Sequence, residues 1–168
     1  MKYGLMIIVA TVLIFVVVLP LGAGWGSNNN ATPVNSQIKP QVDIDRLVDA
    51  IIQVESDGRA NCRGRSGERG LMQIRRPTWR WVCRKILKVN WDFNLDGFDP
   101  DKNIIVGKAY LRYLSERLQS EEAVICAYNC GITRYLNNQV PPFTLKYLQR
   151  VRNAQLQPDT PHFSKTDI

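Results

Sequence analysis

The chain has 168 residues and a formal net charge of +7, a length that suits one folded domain with a short appendage. Its basic residues form no run interleaved with aromatic side chains, which argues against nucleic acid as a partner. The charge fits either a surface that meets an anionic polymer or membrane, or an ordinary solvated basic surface. His162 is the only histidine and no C-x-x-C pair occurs, so no metal or other cofactor is expected.

The first 23 residues differ in composition from the rest of the chain. They contain one charged side chain, Lys2, and a nearly unbroken apolar run over residues 5–21. This composition predicts an export segment, either a cleaved signal peptide or a retained anchor that attaches the chain to a membrane through residues 4–23. No cysteine precedes Cys62, which excludes a lipid-modified N-terminal cysteine. We therefore expect a periplasmic or other cell-envelope protein, held at the inner membrane if the segment is retained.

The remaining chain divides by composition into three parts. Residues 24–41 are rich in Gly, Asn, Pro and Ser, which is typical of a linker. The folded domain is predicted to cover residues 42–156. Residues 157–168 contain two prolines and small polar residues and are predicted to be a flexible tail.

The first predicted helix carries a carboxyl group in an unusual position. Its apolar residues follow a 3–4 spacing from Ile44 to Ile52, with Asp43 as the N-cap, and Glu55 continues the same buried stripe. A carboxyl on a core-facing stripe is costly unless it is paired or protonated. Such a group often has a raised pKa, which a general acid near neutral pH requires. Periodicity alone leaves a structural acid and a catalytic acid as alternatives for Glu55.

Four further helices follow in the pattern of caps and apolar stripes. One begins at Pro77 after the short apolar segment of residues 70–74, and one runs from the Asp99 cap to about Leu118. In the latter, Gly107 is expected to let another helix approach closely. Ser120 caps a helix that ends near Gly131, and the last helix begins near residue 144. No period-2 strand pattern occurs in the folded unit, so the predicted fold class is all-α.

The four cysteines are the remaining feature with chemical meaning. In an oxidising compartment an even number suggests two disulfides, and the alternative is four small buried thiols. The cysteines are Cys62, Cys83, Cys126 and Cys130. Pairing the last two is the least favoured of the three connectivities, because both are predicted to lie on one helix.

Three ordered segments around Glu55 resemble a known family. They are Glu55-Ser56, residues 70–74 with the sequence Gly-Leu-Met-Gln-Ile, and residues 127–129 with the sequence Ala-Tyr-Asn, followed by Gly131. Together they are similar to the SLT-type lytic transglycosylases, which belong to the lysozyme-like superfamily. Further positions agree with that family's patterns: Pro100, Asn103, Gly107, Tyr110, Leu111, Thr144 and Tyr147. The resemblance covers about residues 43–151 and implies a lysozyme-like helical domain.

The resemblance implies an activity and a role for each matched residue. Glu55 would be the sole catalytic acid/base, cleaving the β-1,4 bond between N-acetylmuramic acid and N-acetylglucosamine in the glycan strands of peptidoglycan. The muramoyl C6 hydroxyl would close a 1,6-anhydro ring, so the enzyme would be a carbon–oxygen lyase acting on a polysaccharide. The implied substrate-binding residues adjoin the acid or line the cleft: Ser56, Gln73, Tyr128, Asn129 and Tyr147.

Other functions on the same fold stay open at this point. A hydrolytic muramidase would use water in place of the substrate's hydroxyl, and a non-catalytic assembly factor would only bind peptidoglycan. Glu68 precedes the Gly-Leu-Met-Gln segment and is either a second cleft acid or a solvated loop charge. The small domain resembles specialised members that open the wall locally for secretion or conjugation machinery, which would then be a partner.

The cysteines depart from the family's pattern. Cys126 and Cys130 stand on either side of the Ala-Tyr-Asn motif, where small residues are usual. We hypothesise that one disulfide ties this helix to the loop that carries Cys62 or to the helix that carries Cys83.

Overall fold

The computed structural model describes residues 41–157 and Phe163. Within these residues the chain forms seven α-helices: α1 (Ile44–Glu55), α2 (Arg76–Val82), α3 (Phe93–Asp96), α4 (Pro100–Arg117), α5 (Glu121–Cys130), α6 (Ile132–Leu136) and α7 (Pro142–Gln155). A π-helical segment, Cys83–Leu87, continues α2. The described part contains isolated β-bridges but no strand, which confirms the predicted all-α class. The predicted export segment and, apart from Gln41, the predicted linker lie outside the described residues. No described helix is long and apolar enough to cross a membrane.

The helix starts that were predicted from capping residues are confirmed. Asp43 accepts the backbone N–H of Arg46 before α1. Asp99 and Ser120 accept backbone N–H groups in the same way before α4 and α5. Each cap satisfies a donor that the helix itself leaves unpaired. Because this interaction is local, the sequence was sufficient to predict it.

Three shorter features differ from the prediction. The region of residues 90–97, for which no helix was predicted, contains α3, whose N-cap is Asp92. The short helix α6 follows Gly131 directly, and α7 begins at Pro142 rather than near residue 144. Proline is well tolerated in the first turn of a helix, because its missing N–H would have no partner there.

The core is built around α1 and α4. Five apolar residues of α1 are at most 1 % exposed: Leu47, Val48, Ala50, Ile51 and Ile52. The helix α1 packs against α4 and α7, while α5 packs against α4, α6 and α7. This arrangement holds the C-terminal end of α1 next to α7, and it is at that end that Glu55 lies.

A tight turn over residues 69–74 is fastened to the helices by one buried side chain, that of Asn103. Asn103 is fully buried on α4. Its Oδ1 accepts the Met72 N–H at 2.8 Å, and its Nδ2 donates to the carbonyls of Arg69 and Gly97, both at 3.0 Å. Three backbone groups from two loops therefore depend on this one amide.

Gly107 supports the same turn from the next turn of α4. The Met72 side chain lies where a Cβ on Gly107 would stand, and Met72 is itself fully buried. The predicted close approach at Gly107 is therefore present, but it is made by Met72 of the turn and not by another helix.

We expect Asn103→Ala to lower the free energy of unfolding by about 3 kcal/mol or more, because three buried backbone groups would lose their partner. Urea unfolding followed by circular dichroism measures this change. Asn153→Ala is the matched control, since Asn153 is exposed on α7, and it should change stability by less than about 0.5 kcal/mol. Equal stability of the two variants would contradict the role given to Asn103.

The prediction of two disulfides is not supported. All four cysteines are free thiols in the structure, and no pair lies at disulfide distance. Cys83 is buried in the core where α2 becomes π-helical, whereas Cys126 and Cys130 are one turn apart on α5. Burial raises the pKa of the Cys83 thiol to about 11, so this thiol stays protonated and packs as a small apolar group.

Two residues of the segment that was predicted to be a flexible tail are described, Gln157 and Phe163, and Phe163 contacts the domain. Its ring packs against the core near Gly58. Its backbone N–H donates to the Oδ1 of the buried Asp49 at 2.7 Å. One part of this segment is therefore in contact with the domain.

Candidate active site

Glu55 lines a cleft of about 240 Å³. It is the last residue of α1 and is partly buried. Burial raises its pKa from 4.5 to about 7, against the lowering effects of the Tyr147 hydroxyl and the Arg150 guanidinium. A carboxylic acid with this pKa is about half protonated at neutral pH, so it is suited to donate and then accept a proton.

The helix α7 supplies two groups next to Glu55. The Tyr147 hydroxyl is enclosed and interacts with the Glu55 carboxyl, although no described group meets it at regular hydrogen-bond geometry. Burial and the nearby Glu55 charge raise the pKa of Tyr147 well above its usual value, so the hydroxyl remains a donor. Arg150 donates to the Val54 carbonyl at 2.7 Å, which ties α7 to the end of α1.

Gln73 and Tyr128, both predicted to bind substrate, line the cleft. Gln73 has a positive φ of 45°, and its Nε2 donates to the carbonyls of Cys62 and Gly70. The Tyr128 hydroxyl donates to the Met72 carbonyl at 2.8 Å. Since these polar groups already hold the turn together, both side chains shape the wall of the cleft as well as facing it.

Asn129 also lines the cleft, at the end of α5. Its Oδ1 accepts the hydroxyl proton of the fully buried Thr144 at 2.8 Å. This bond between α5 and α7 orients the amide, whose nitrogen makes no hydrogen bond within the described part of the chain. Asn129 is thus placed to donate to a sugar hydroxyl or an N-acetyl oxygen.

Ser56 does not fit its predicted role in substrate binding. Its side chain is buried, with 2 % of the residue exposed, and it does not line the cleft. The hydroxyl donates to the Ile52 carbonyl at 3.2 Å, closing the last turn of α1. Ser56 therefore caps the helix that presents Glu55, because a serine one turn beyond a helical carbonyl readily donates back to it.

Glu68 lies in the same cleft as Glu55. Burial raises its pKa, but its own N–H, the Arg75 side chain and the Ser66 N–H lower it, and the pKa of Glu68 lies below its usual value. The Arg75 Nε donates to Glu68 Oε1 at 2.9 Å. The cleft thus holds one carboxyl, Glu55, that is about half protonated near neutral pH, and one, Glu68, that is ionised.

Several cleft residues were not assigned by sequence reasoning. The additional lining residues are Gly64, Ile74, Arg75, Thr78, Gly107 and Tyr110. Asn103 supports the cleft wall and could have been found from its spacing. It lies four residues before Gly107 and so continues the buried stripe of α4, where a polar residue requires a partner.

The family to which this chain belongs follows from a match to the Transglycosylase SLT domain, which extends over residues 35–146. The matched region contains Glu55, the turn of residues 69–74 and the helices α1 to α5. The chain is a member of the SLT domain family.

Two solved structures share the SLT fold. The 70 kDa soluble lytic transglycosylase from Escherichia coli superposes with a TM-score of 0.60 at 24 % identity, covering 66 % of this chain and 21 % of that one. An inactive mutant of the lytic transglycosylase Slt from Pseudomonas aeruginosa superposes with a TM-score of 0.58 at 23 % identity, covering 66 % and 20 %. The chain thus spans about a fifth of the length of each, and at these identities the likeness shows the fold.

Tyr147→Phe should raise the pKa of Glu55 in the SLT domain, because the tyrosine hydroxyl stabilises the ionised carboxylate and lowers that pKa. The carboxyl titration followed by carbon NMR measures the shift without requiring turnover. Tyr113→Phe is the matched control, because Tyr113 is only partly buried and does not line the cleft. An unchanged Glu55 titration in Tyr147→Phe would show that the hydroxyl does not act on the acid.

Proposed function

We propose that the domain is a peptidoglycan lytic transglycosylase that cleaves the β-1,4 bond between N-acetylmuramic acid and N-acetylglucosamine. The observation that carries the proposal is Glu55, a cleft carboxyl whose pKa is about 7. Family membership supports it, as does the cleft wall formed by Gln73, Tyr128 and Asn129. The Slt structure adds support, since that inactive mutant carries glutamine in place of a glutamate.

The reaction needs one carboxyl that changes role. Protonated Glu55 donates its proton to the glycosidic oxygen, and the bond from that oxygen to the muramoyl C1 breaks. The C6 hydroxyl of the same muramoyl residue then attacks C1, and the Glu55 carboxylate accepts the hydroxyl proton. One C–O bond breaks and one forms, no water is consumed, and Glu55 is protonated again at the end.

Tyr147 and Arg150 suit this cycle because their effect depends on the charge of Glu55. Both favour the carboxylate, which forms after the first proton transfer. Burial opposes the carboxylate and so favours return of the proton. The balance between these effects keeps both protonation states accessible near neutral pH.

Hydrolysis is the second candidate reaction, and Glu68 is the observation that favours it. Glycosidases that use water pair a protonated acid with an ionised carboxylate, and Glu55 and Glu68 differ in this sense within one cleft. Glu68 is held by Arg75 and the Ser66 N–H. In hydrolysis, the Glu68 carboxylate oxygens would have to accept a proton from the attacking water molecule in addition to these hydrogen bonds.

Mass spectrometry of the products from purified peptidoglycan distinguishes the two reactions. Transglycosylation gives muramoyl ends that are lighter by one water molecule than the ends that hydrolysis gives. Anhydro ends would support the first proposal. Reducing ends formed in ¹⁸O water with label incorporation would replace it with the second.

We further propose that the enzyme acts in the cell envelope, with local wall opening for a secretion or conjugation apparatus as its role. The apolar run of residues 5–21 supports export. Cell fractionation tests the location, and N-terminal sequencing of the recovered protein distinguishes a cleaved signal from a retained anchor. A gene deletion that lowers secretion or transfer without affecting growth would support the role.

A further inference from the structure

A second cavity, of about 430 Å³, adjoins the catalytic cleft. The two share one lining residue, Arg75, so they lie next to each other. The lining residues include no carboxylate and four arginines, which are Arg63, Arg69, Arg75 and Arg76. We call this the arginine cavity.

Neutral groups hold three of these guanidinium groups in place. Arg69 donates to the Phe93 carbonyl at 2.8 Å and lies over the Phe93 and Phe98 rings. Arg76 donates to Asn94 Oδ1 at 2.7 Å, and its guanidinium lies over the Phe93 ring, 5.2 Å from the ring centre. Arg63 lies over Phe98 at 5.8 Å. None of the three makes an ion pair with a carboxylate in the part of the chain that the structure describes.

The like charges are close enough to affect one another. Burial, and then the charges of Arg63 and Arg76, lower the pKa of Arg69, while Asp92 acts in the opposite direction. The Oδ1 of Asp92 accepts the N–H groups of Asn94 and Leu95. Glu68, which lines the adjoining cleft, is paired with Arg75. The arginine cavity thus keeps an excess of positive charge, which an anionic ligand would balance.

We propose that the arginine cavity binds the carboxylate groups of the peptides that branch from the glycan strand. This proposal rests on the proposed function, because it takes the strand in the cleft to be peptidoglycan. Those peptides are attached to the muramoyl lactyl groups and carry free carboxylates. A strand that occupies the cleft up to Arg75 brings such a peptide to Arg63 and Arg76, whose planar guanidinium groups match a carboxylate with two parallel hydrogen bonds.

The continuity at Arg75 favours a branch of the bound strand over an unrelated anion. A phosphate polymer that is not joined to the strand would gain nothing from this continuity. The site would therefore make the enzyme prefer glycan that still carries its peptides.

Binding to two forms of the same strand tests the proposal. The full chain with Glu55→Gln is titrated with soluble glycan strands that carry their peptides, and with the same strands after an amidase has removed the peptides. In this background, Arg63→Gln with Arg76→Gln should weaken binding to the peptide-bearing strands roughly tenfold or more. Binding to the bare strands should change far less, and the salt dependence with peptide-bearing strands should decrease.

A charge-matched control is Lys85→Gln with Arg112→Gln, since both residues are exposed and line neither cavity. Equal weakening with bare and peptide-bearing strands, or an equal effect of the control pair, would overturn the proposal. Selective loss of binding to a glycerol-phosphate polymer would overturn it in favour of a phosphate ligand. The binding assay requires no turnover, so retained selectivity together with a parent enzyme that releases no anhydro products would refute the proposed reaction alone.

Discussion

Glu55→Gln is expected to reduce turnover of peptidoglycan by about 10³-fold or more, because general acid and general base catalysis by one residue would both be lost. Glutamine keeps the size of the side chain but cannot donate the acidic proton. Release of soluble muropeptides from purified peptidoglycan measures the loss. Glu116→Gln is the matched control, since Glu116 is exposed on α4 and does not line the cleft.

The same variant should remain folded, and its stability supplies an internal check. The pKa of Glu55 is higher in the folded chain than its ordinary value of 4.5, so the stability that the protonated carboxyl contributes is present below pH 4.5 and is lost as the pH rises through 7. Glu55→Gln should therefore be more stable than the parent at pH 8 by about 2 kcal/mol after allowance for the exposed part of the group. The gain should be small at pH 5.

Two outcomes would contradict the catalytic role proposed for Glu55. Substantial turnover by folded Glu55→Gln would show that another group is the acid. If the parent showed no turnover and folded Glu55→Gln kept full function in the cell, the non-catalytic peptidoglycan-binding alternative would replace the enzyme. Loss of turnover with a folded protein would exclude that alternative.

The pH dependence of kcat/KM is the second large effect. The acid must be protonated in the free enzyme, so activity should fall tenfold per pH unit well above the Glu55 pKa of about 7. At pH 9 only about one enzyme in a hundred would carry the proton. With an ordinary pKa of 4.5, the decline would already begin in the acidic range. Initial rates from pH 5 to 9 locate this alkaline limb.

Glu68→Gln tests whether the limb belongs to Glu55. The Glu68 charge raises the pKa of Glu55, so its removal should move the limb to lower pH while the anhydro product persists. If the parent instead forms reducing ends and Glu68→Gln abolishes them, Glu68 is the base of a hydrolase. A limb that stays at the same pH in Tyr147→Phe, Glu68→Gln and the parent would assign it to some other group.

The candidate acid and the starts of three helices could be predicted from the sequence, because they depend on local spacing. Glu55 continues an apolar stripe, and Asp43, Asp99 and Ser120 mark helix starts, since each interaction lies within one helical turn. The helices α3 and α6 were not predicted, because four or five residues form too short a window for a periodic pattern. Ser56 was assigned to the substrate from the family resemblance, whereas its hydroxyl closes the last turn of α1.

The contacts that make the site work join residues far apart in the sequence. Asn103 bonds to Met72, 31 positions away, and Tyr128 bonds to the same residue from 56 positions away. The cysteine pattern suggested disulfides, but the thiols are kept apart by the elements that carry them. Spacing carries no information on such distances, because they depend on how the helices pack.

The sequence by itself determined the helical class, the family resemblance and the position of Glu55, because helix periodicity and capping are properties of neighbouring residues. Only the tertiary structure decided that Glu55 has a pKa of about 7, that Glu68 shares its cleft and that four arginines form a cavity beside them. The reason is physical, since a carboxyl's pKa and a cluster's charge depend on burial and on which groups packing brings together. Arg75 illustrates this, as one exposed loop residue that joins the catalytic cleft to the arginine cavity.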